Sequence, residues 1–176
     1  MAVCMSTYIP TAAAALQRNG DTLTFPFPMR VEPITVYCRF FDRGNTGNGQ
    51  ARLWGIGSLS GGVNGALYVT FNTIWGTRFL PRGVAFSSVA NIAPNAGDVV
   101  EILVTLNSSG QTQLTQVLNG GVPFVATAST AVPLNQNWLT PTFFVGGALT
   151  TADYTHLFVL TGVQSLATMQ KRAGVI

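Results

Sequence analysis

The chain has 176 residues, nine basic against six acidic, a formal charge of +3 and a mean hydropathy of +0.35. Soluble domains usually carry about a quarter charged residues, so a chain with 9% is poorly equipped to stay apart from its neighbours and is expected to be covered by copies of itself or by another protein. The length suits one domain, no apolar run approaches the roughly 18 to 20 residues that span a bilayer, and basic residues this scattered argue against a nucleic-acid footprint.

Residues 1–20 read as an N-terminal arm and 21–176 as a single domain. The opening Met-Ala-Val-Cys-Met has no positive n-region and no longer apolar stretch, so the expectation is synthesis in the cytosol without export by this route. Ala12–Ala15 has high helix propensity, but Pro10 precedes it and Gly20 follows soon after, which leaves a helical turn or an extended arm open. Strand patterns then dominate, at Thr22–Phe27, Pro33–Phe41, Arg52–Ser58, Ala66–Phe71 and Gly83–Val89. Within the second of these, Ile34, Val36, Cys38 and Phe40 share a face, so Cys38 reads as a small buried hydrophobe. Two cysteines do not make a disulfide framework, and nothing in the sequence supports a Cys4–Cys38 bridge.

Val100, Ile102, Val104 and Leu106 form the apolar face of a strand whose other face is mixed, the pattern of a half-buried strand. Asn107-Ser108-Ser109-Gly110 supplies a turn, Gln111–Leu118 returns, and Asn119-Gly120-Gly121 turns again. Val122–Thr127, Thr142–Val145 and Thr155–Thr161 continue the series. Ser165–Lys171 reads as a short C-terminal helix, N-capped by Ser165, with Leu166 and Met169 on one face and Lys171 and Arg172 complementing the C-terminal dipole. Many short strands punctuated by Gly, Pro and Asn predict an all-β, two-sheet antiparallel sandwich of jelly-roll type with one short helix.

Groups for chemistry are sparse. His156 alternates with Tyr154, Phe158 and Leu160 and reads as a partly buried, hydrogen-bonded strand histidine rather than a catalytic one. One histidine and two separated cysteines do not make a structural zinc site. The stretch Asp42–Gly49 holds one carboxylate, without calcium-loop spacing, and reads as a hairpin loop. Glu32 and Glu101 fall on different predicted strands and share no motif of a glycosidase pair. The expectation is therefore no enzyme, no cofactor and no metal. Of the tryptophans, Trp54 lies within a predicted strand and reads as core. Trp75 and Trp138 neighbour turns and, with Asn72, Asn135 and Asn137, are the candidate glycan or partner contacts.

Three segments carry a family resemblance. Ser6-Thr7-Tyr8-Ile9-Pro10-Thr11, followed by Ala14 and Arg18, resembles a segment recurrent in phage and prophage structural proteins, where it leads into a concanavalin-A-like jelly-roll domain. Gly97–Ile102 through Asn119-Gly120-Gly121 is similar to the hairpin of that lectin/glucanase superfamily. Phe144-Val145-Gly146-Gly147, Leu157–Leu160 and the turn at Ser165–Met169 resemble its closing strands and short helix. The resemblance implies a phage virion structural protein assembled in the host cytoplasm, foremost a capsid decoration (cement) protein. A tail or fibre component with a carbohydrate-binding, lectin-like module is the alternative. Soluble proteins often guard edge strands with lysine and this chain has one, so a symmetric homo-oligomer is expected, trimer preferred, joined by edge or face contacts with an assembly arm at Tyr8, Ile9 and Pro10. The implied partners are a major capsid or other virion protein and, in the alternative, a glycan, with neither nucleic acid nor membrane among them. Hydrolase and metal-site residues of the superfamily have no counterparts, since Thr168 and Gln170 stand where its final helix often carries an acid.

Overall fold

The computed structural model of the chain describes residues 23–26, 33–44, 51–56, 67–72, 74–79, 86–89, 93–128, 131, 142–145 and 152–176. Eleven strands are described there: β1 (Leu23–Pro26), β2 (Ile34–Asp42), β3 (Ala51–Ile56), β4 (Leu67–Asn72), β5 (Ile74–Phe79), β6 (Phe86–Val89), β7 (Val99–Leu106), β8 (Thr112–Leu118), β9 (Phe124–Thr127), β10 (Thr142–Val145) and β11 (Ala152–Thr161). One helix, α1 (Leu166–Arg172), follows. They form two antiparallel sheets, a six-stranded one in the order β1-β10-β3-β4-β5-β6 and a five-stranded one in the order β11-β2-β7-β8-β9.

The core lies between the sheets. Ile34, Val36, Cys38 and Phe40 of β2, Val100, Ile102, Val104 and Leu106 of β7 and Leu114 of β8 pack with Leu53, Trp54 and Ile56 of β3 and Val69 of β4. Strand periodicity puts every second residue of β2 and β7 into this layer, and Cys38 and Trp54 are both fully buried there as expected. The Cys38 thiol is free, and burial raises its pKa far above the ordinary thiol range. Tyr154 Oη of β11 donates to the Leu53 carbonyl of β3 at 2.5 Å, a hydrogen bond from one sheet to the other.

The structure corrects four sequence expectations. β7 is buried on both faces rather than half-buried, since Glu101, Leu103 and Thr105 are also covered. The cover includes α1: Met169 packs with Tyr37 and Leu103, joined by Phe158, Leu160, Leu166 and Ala173. His156 does not share a face with Tyr154. The register slips between them, so Tyr154 and Ala152 face the core cluster while His156 sits opposite Arg39 on the outer side. Asp42–Gly49 is not a hairpin connection, because β2 and β3 belong to different sheets. Finally, β5 was not anticipated. A single residue separates it from β4, so no Gly/Pro/Asn cluster marks the boundary, and Gly76 interrupts its apolar pattern.

Local signals behave as their chemistry dictates. Ser165 Oγ caps α1 by accepting from the Thr168 amide at 3.2 Å. Thr35 Oγ1 donates to the Gly162 carbonyl at 2.7 Å and accepts from the Gln164 amide at 2.9 Å, pinning the approach to the helix. In the β7–β8 turn, Asn107 Oδ1 accepts from the Ser109 amide, the Ser109 hydroxyl and the Gln111 amide, all within 2.9 Å. Asn119 and Gly120 take left-handed φ values of 50° and 71° at the next turn, where Asn and Gly tolerate them best. Among the described residues no helix is long and apolar enough to cross a membrane.

Candidate functional site

The candidate contact residues divide by position. Asn72 ends β4 and Trp75 lies in β5, where the register sets Asn72 opposite Ile74 and Phe71 opposite Trp75. Both therefore lie at the same end of the six-stranded sheet, Trp75 as the second residue of β5 beside the β4–β5 connection, but in successive register pairs, positions that alternate between the two faces of the sheet. Trp138, Asn135, Asn137 and the arm residues Tyr8, Ile9 and Pro10 lie outside the described residues.

Most of the described ionisable side chains gather on the outer face of the five-stranded sheet. Glu101 is only 2% exposed, and its Oε2 accepts from Tyr37 Oη at 2.8 Å and from Gln170 Nε2 at 3.0 Å. A buried carboxylate needs such donors to offset its lost hydration. The two bonds tie β2, β7 and α1 together. Burial, then the hydrogen bond to Glu101, pushes the Tyr37 hydroxyl well above the ordinary phenol range. Next in register stand Arg39, opposite Glu101, and His156, opposite Arg39. His156 Nδ1 lies 3.2 Å from Thr155 Oγ1, and the ring is held below its ordinary pKa by burial and then by the Arg39 charge, with Glu101 opposing. At the sheet's end, Arg43 pairs with Asp153 at 2.5 Å. This arrangement fastens helix to sheet. The Thr155 hydroxyl beside His156 donates to the Arg39 carbonyl at 3.0 Å, and no group of three or more His, Cys, Asp or Glu that could hold a metal occurs among the described residues.

The other side of the same sheet is the opposite in character. From Ile102 to Ala152 the sequence contains no charged residue and no histidine. That stretch includes most of β7 and all of β8 and β9 in this sheet, and β10 of the other, and among the described residues β9 ends the five-stranded sheet, paired on one side only. Val122 and Val125 are 85% and 51% exposed there. Natural edge strands are commonly guarded by charge, especially lysine, and the only lysine, Lys171, lies in α1. The signal for this edge was present in the sequence as a gap in charge. It could not be assigned to an edge until strand order was known.

The fold places the chain among all-β sandwiches of the jelly-roll, lectin-like type. No protein-family model and no curated protein sequence matches it. Solved structures match by shape. The CBM40 module of the Ruminococcus gnavus IT-sialidase, bound to α2,3-sialyllactose, has a TM-score of 0.59 at 10% identity, over 90% of this chain and 98% of that one. The enzymatically active domain of tailspike protein 2 from bacteriophage CBA120 has a TM-score of 0.58 at 14% identity, over 84% of this chain. The LG1–3 region of the laminin α2 chain has a TM-score of 0.59 at 9% identity, over 78% of this chain. The chain spans 25% of the tailspike structure and 30% of the laminin structure. At these identities the likeness establishes fold.

Proposed function

We propose that the chain is a non-catalytic phage virion structural protein, foremost a capsid decoration protein that works by contacts with its own copies and with the particle. The observation that carries this reading is the uncharged edge strand β9, with exposed Val125 within it and exposed Val122 just before it. A surface without charge does not repel its copies and loses little hydration when covered. The N-terminal segment resembling phage structural proteins and the shape shared with a phage tailspike domain support the virion context. The test is a protein inventory and reconstruction of purified particles carrying the gene. Expected are many copies of this chain on the shell, and shells that disassemble at lower temperature without it. Its absence from particles would overturn the proposal.

A second reading is a glycan-binding module of a tail or fibre. The shape shared with a sialyllactose-bound module over 90% of this chain supports it. Aromatic side chains are a standard means of stacking on a sugar ring. Binding on a glycan array that is lost in Trp75→Ala would favour it, and silence across the array would remove it.

A further inference from the structure

We infer that β9 pairs antiparallel with β9 of a second copy about a two-fold axis at Ala126, extending the five-stranded sheet across the junction; this rests on the assembly reading above. The hydrogen-bond phase of the sheet fixes which groups are on offer. Asn107 N donates to Gln111 O and Asn119 N to Val99 O, so the directly bonded β7–β8 pairs fall at odd-numbered positions of β8. Ala128 N donates to Thr112 O, so β8 turns Thr112, Leu114 and Gln116 toward β9, where they bond Ala128, Ala126 and Phe124. The intervening residues, Val125 and Thr127, therefore aim their N–H and C=O groups away from β8. No hydrogen bond reaches these four groups among the described residues.

Two donors and two acceptors spaced two residues apart match themselves when turned by a half-rotation. With Ala126 on the axis, Val125 faces Thr127 of the second copy and Thr127 faces Val125. All four donors and all four acceptors are then used. Shifting the axis to Val125 would set Thr127 against Pro123, which has no N–H, and would leave acceptors unmatched. The neutral stretch from Ile102 to Ala152 is what selects a second copy as occupant, because like meets like here without charge repulsion. The opposite edge of the sheet, β11, carries Asp153 and His156 and has no such neutrality. The junction closes on itself, so a threefold assembly would need a separate contact. A strand of four residues makes a weak bond singly, one that gains from many copies held on a lattice.

The test uses the whole chain. Site-resolved hydrogen exchange on the wild type should show protection that grows with concentration at the Val125 and Thr127 amides and not at Ala126, whose N–H is already bonded to β8. Val125→Pro removes one outward donor without touching the β8 ladder, and Val125→Lys adds an edge charge. Each should weaken self-association at least about tenfold, while Val163→Lys, the same kind of change at an exposed valine near α1, should not. If the wild type associates but both Val125 variants associate equally well, the edge junction is wrong and the assembly reading survives. If the wild type stays monomeric at every concentration yet binds virus shells, the edge junction alone falls; if it stays monomeric and does not bind them, both fall.

Discussion

At the scale of single residues, Glu101 shows how a group suited to catalysis becomes structural. Its position in the interior of β7 buries it, and Tyr37 and Gln170 supply the donors it then requires. Tyr37→Phe should cost about 1 to 3 kcal/mol, the usual penalty for depriving a buried charged group of a partner. The midpoint of urea denaturation at constant m-value reads this directly. His156 gives a pH signature. Its folded pKa lies below the ordinary 6.5, so as pH falls the unfolded chain takes up the proton first. Its contribution is complete above 6.5 and declines as pH drops through the lower folded value. Asp98 acts in the same direction at lower pH, since the Asn119 side-chain hydrogen bond holds its carboxyl below the ordinary 3.8. Melting temperatures should therefore fall on acidification from pH 7 toward 5, and His156→Gln should flatten that slope while leaving the steeper loss in stronger acid.

At the scale of elements, α1 is a short lid whose value lies in what it covers. Met169→Ala should cost about 2 to 5 kcal/mol through the cavity it leaves beside Tyr37 and Leu103. Ser165→Ala should cost about 1 kcal/mol through the lost cap. Thermal or urea denaturation of the two variants side by side checks the order. This helix was legible in the sequence because cap, apolar pair and terminal cations all agree locally. So were the β7–β8 hairpin and its Asn-Gly turns. β5 was not, since a one-residue separation from β4 leaves no room for the usual turn residues. Nor was the outward turn of His156, because a bulge reverses side-chain alternation without a sequence mark. The double burial of β7 depends on α1 docking from more than sixty residues away, which no local pattern encodes.

At the scale of the whole molecule, the scarcity of charge indicated a surface made to be covered, but composition alone says nothing of where. Sheet order supplies that, setting the uncharged β8 and β9 at one end of the five-stranded sheet and β11, with Asp153 and His156, at the other. Of the candidate sugar contacts only Asn72 and Trp75 fall among the described residues, and the β4–β5 register sets them in successive pairs that alternate between the sheet's faces, which their spacing of three residues does not by itself announce. Association through a neutral edge is the central claim, and sedimentation of the unmodified chain over a dilution series tests it most directly. The expected result is a mass that rises above 18.6 kDa with concentration and returns to it on dilution. A single 18.6 kDa species throughout, with no affinity for virus shells, would contradict it.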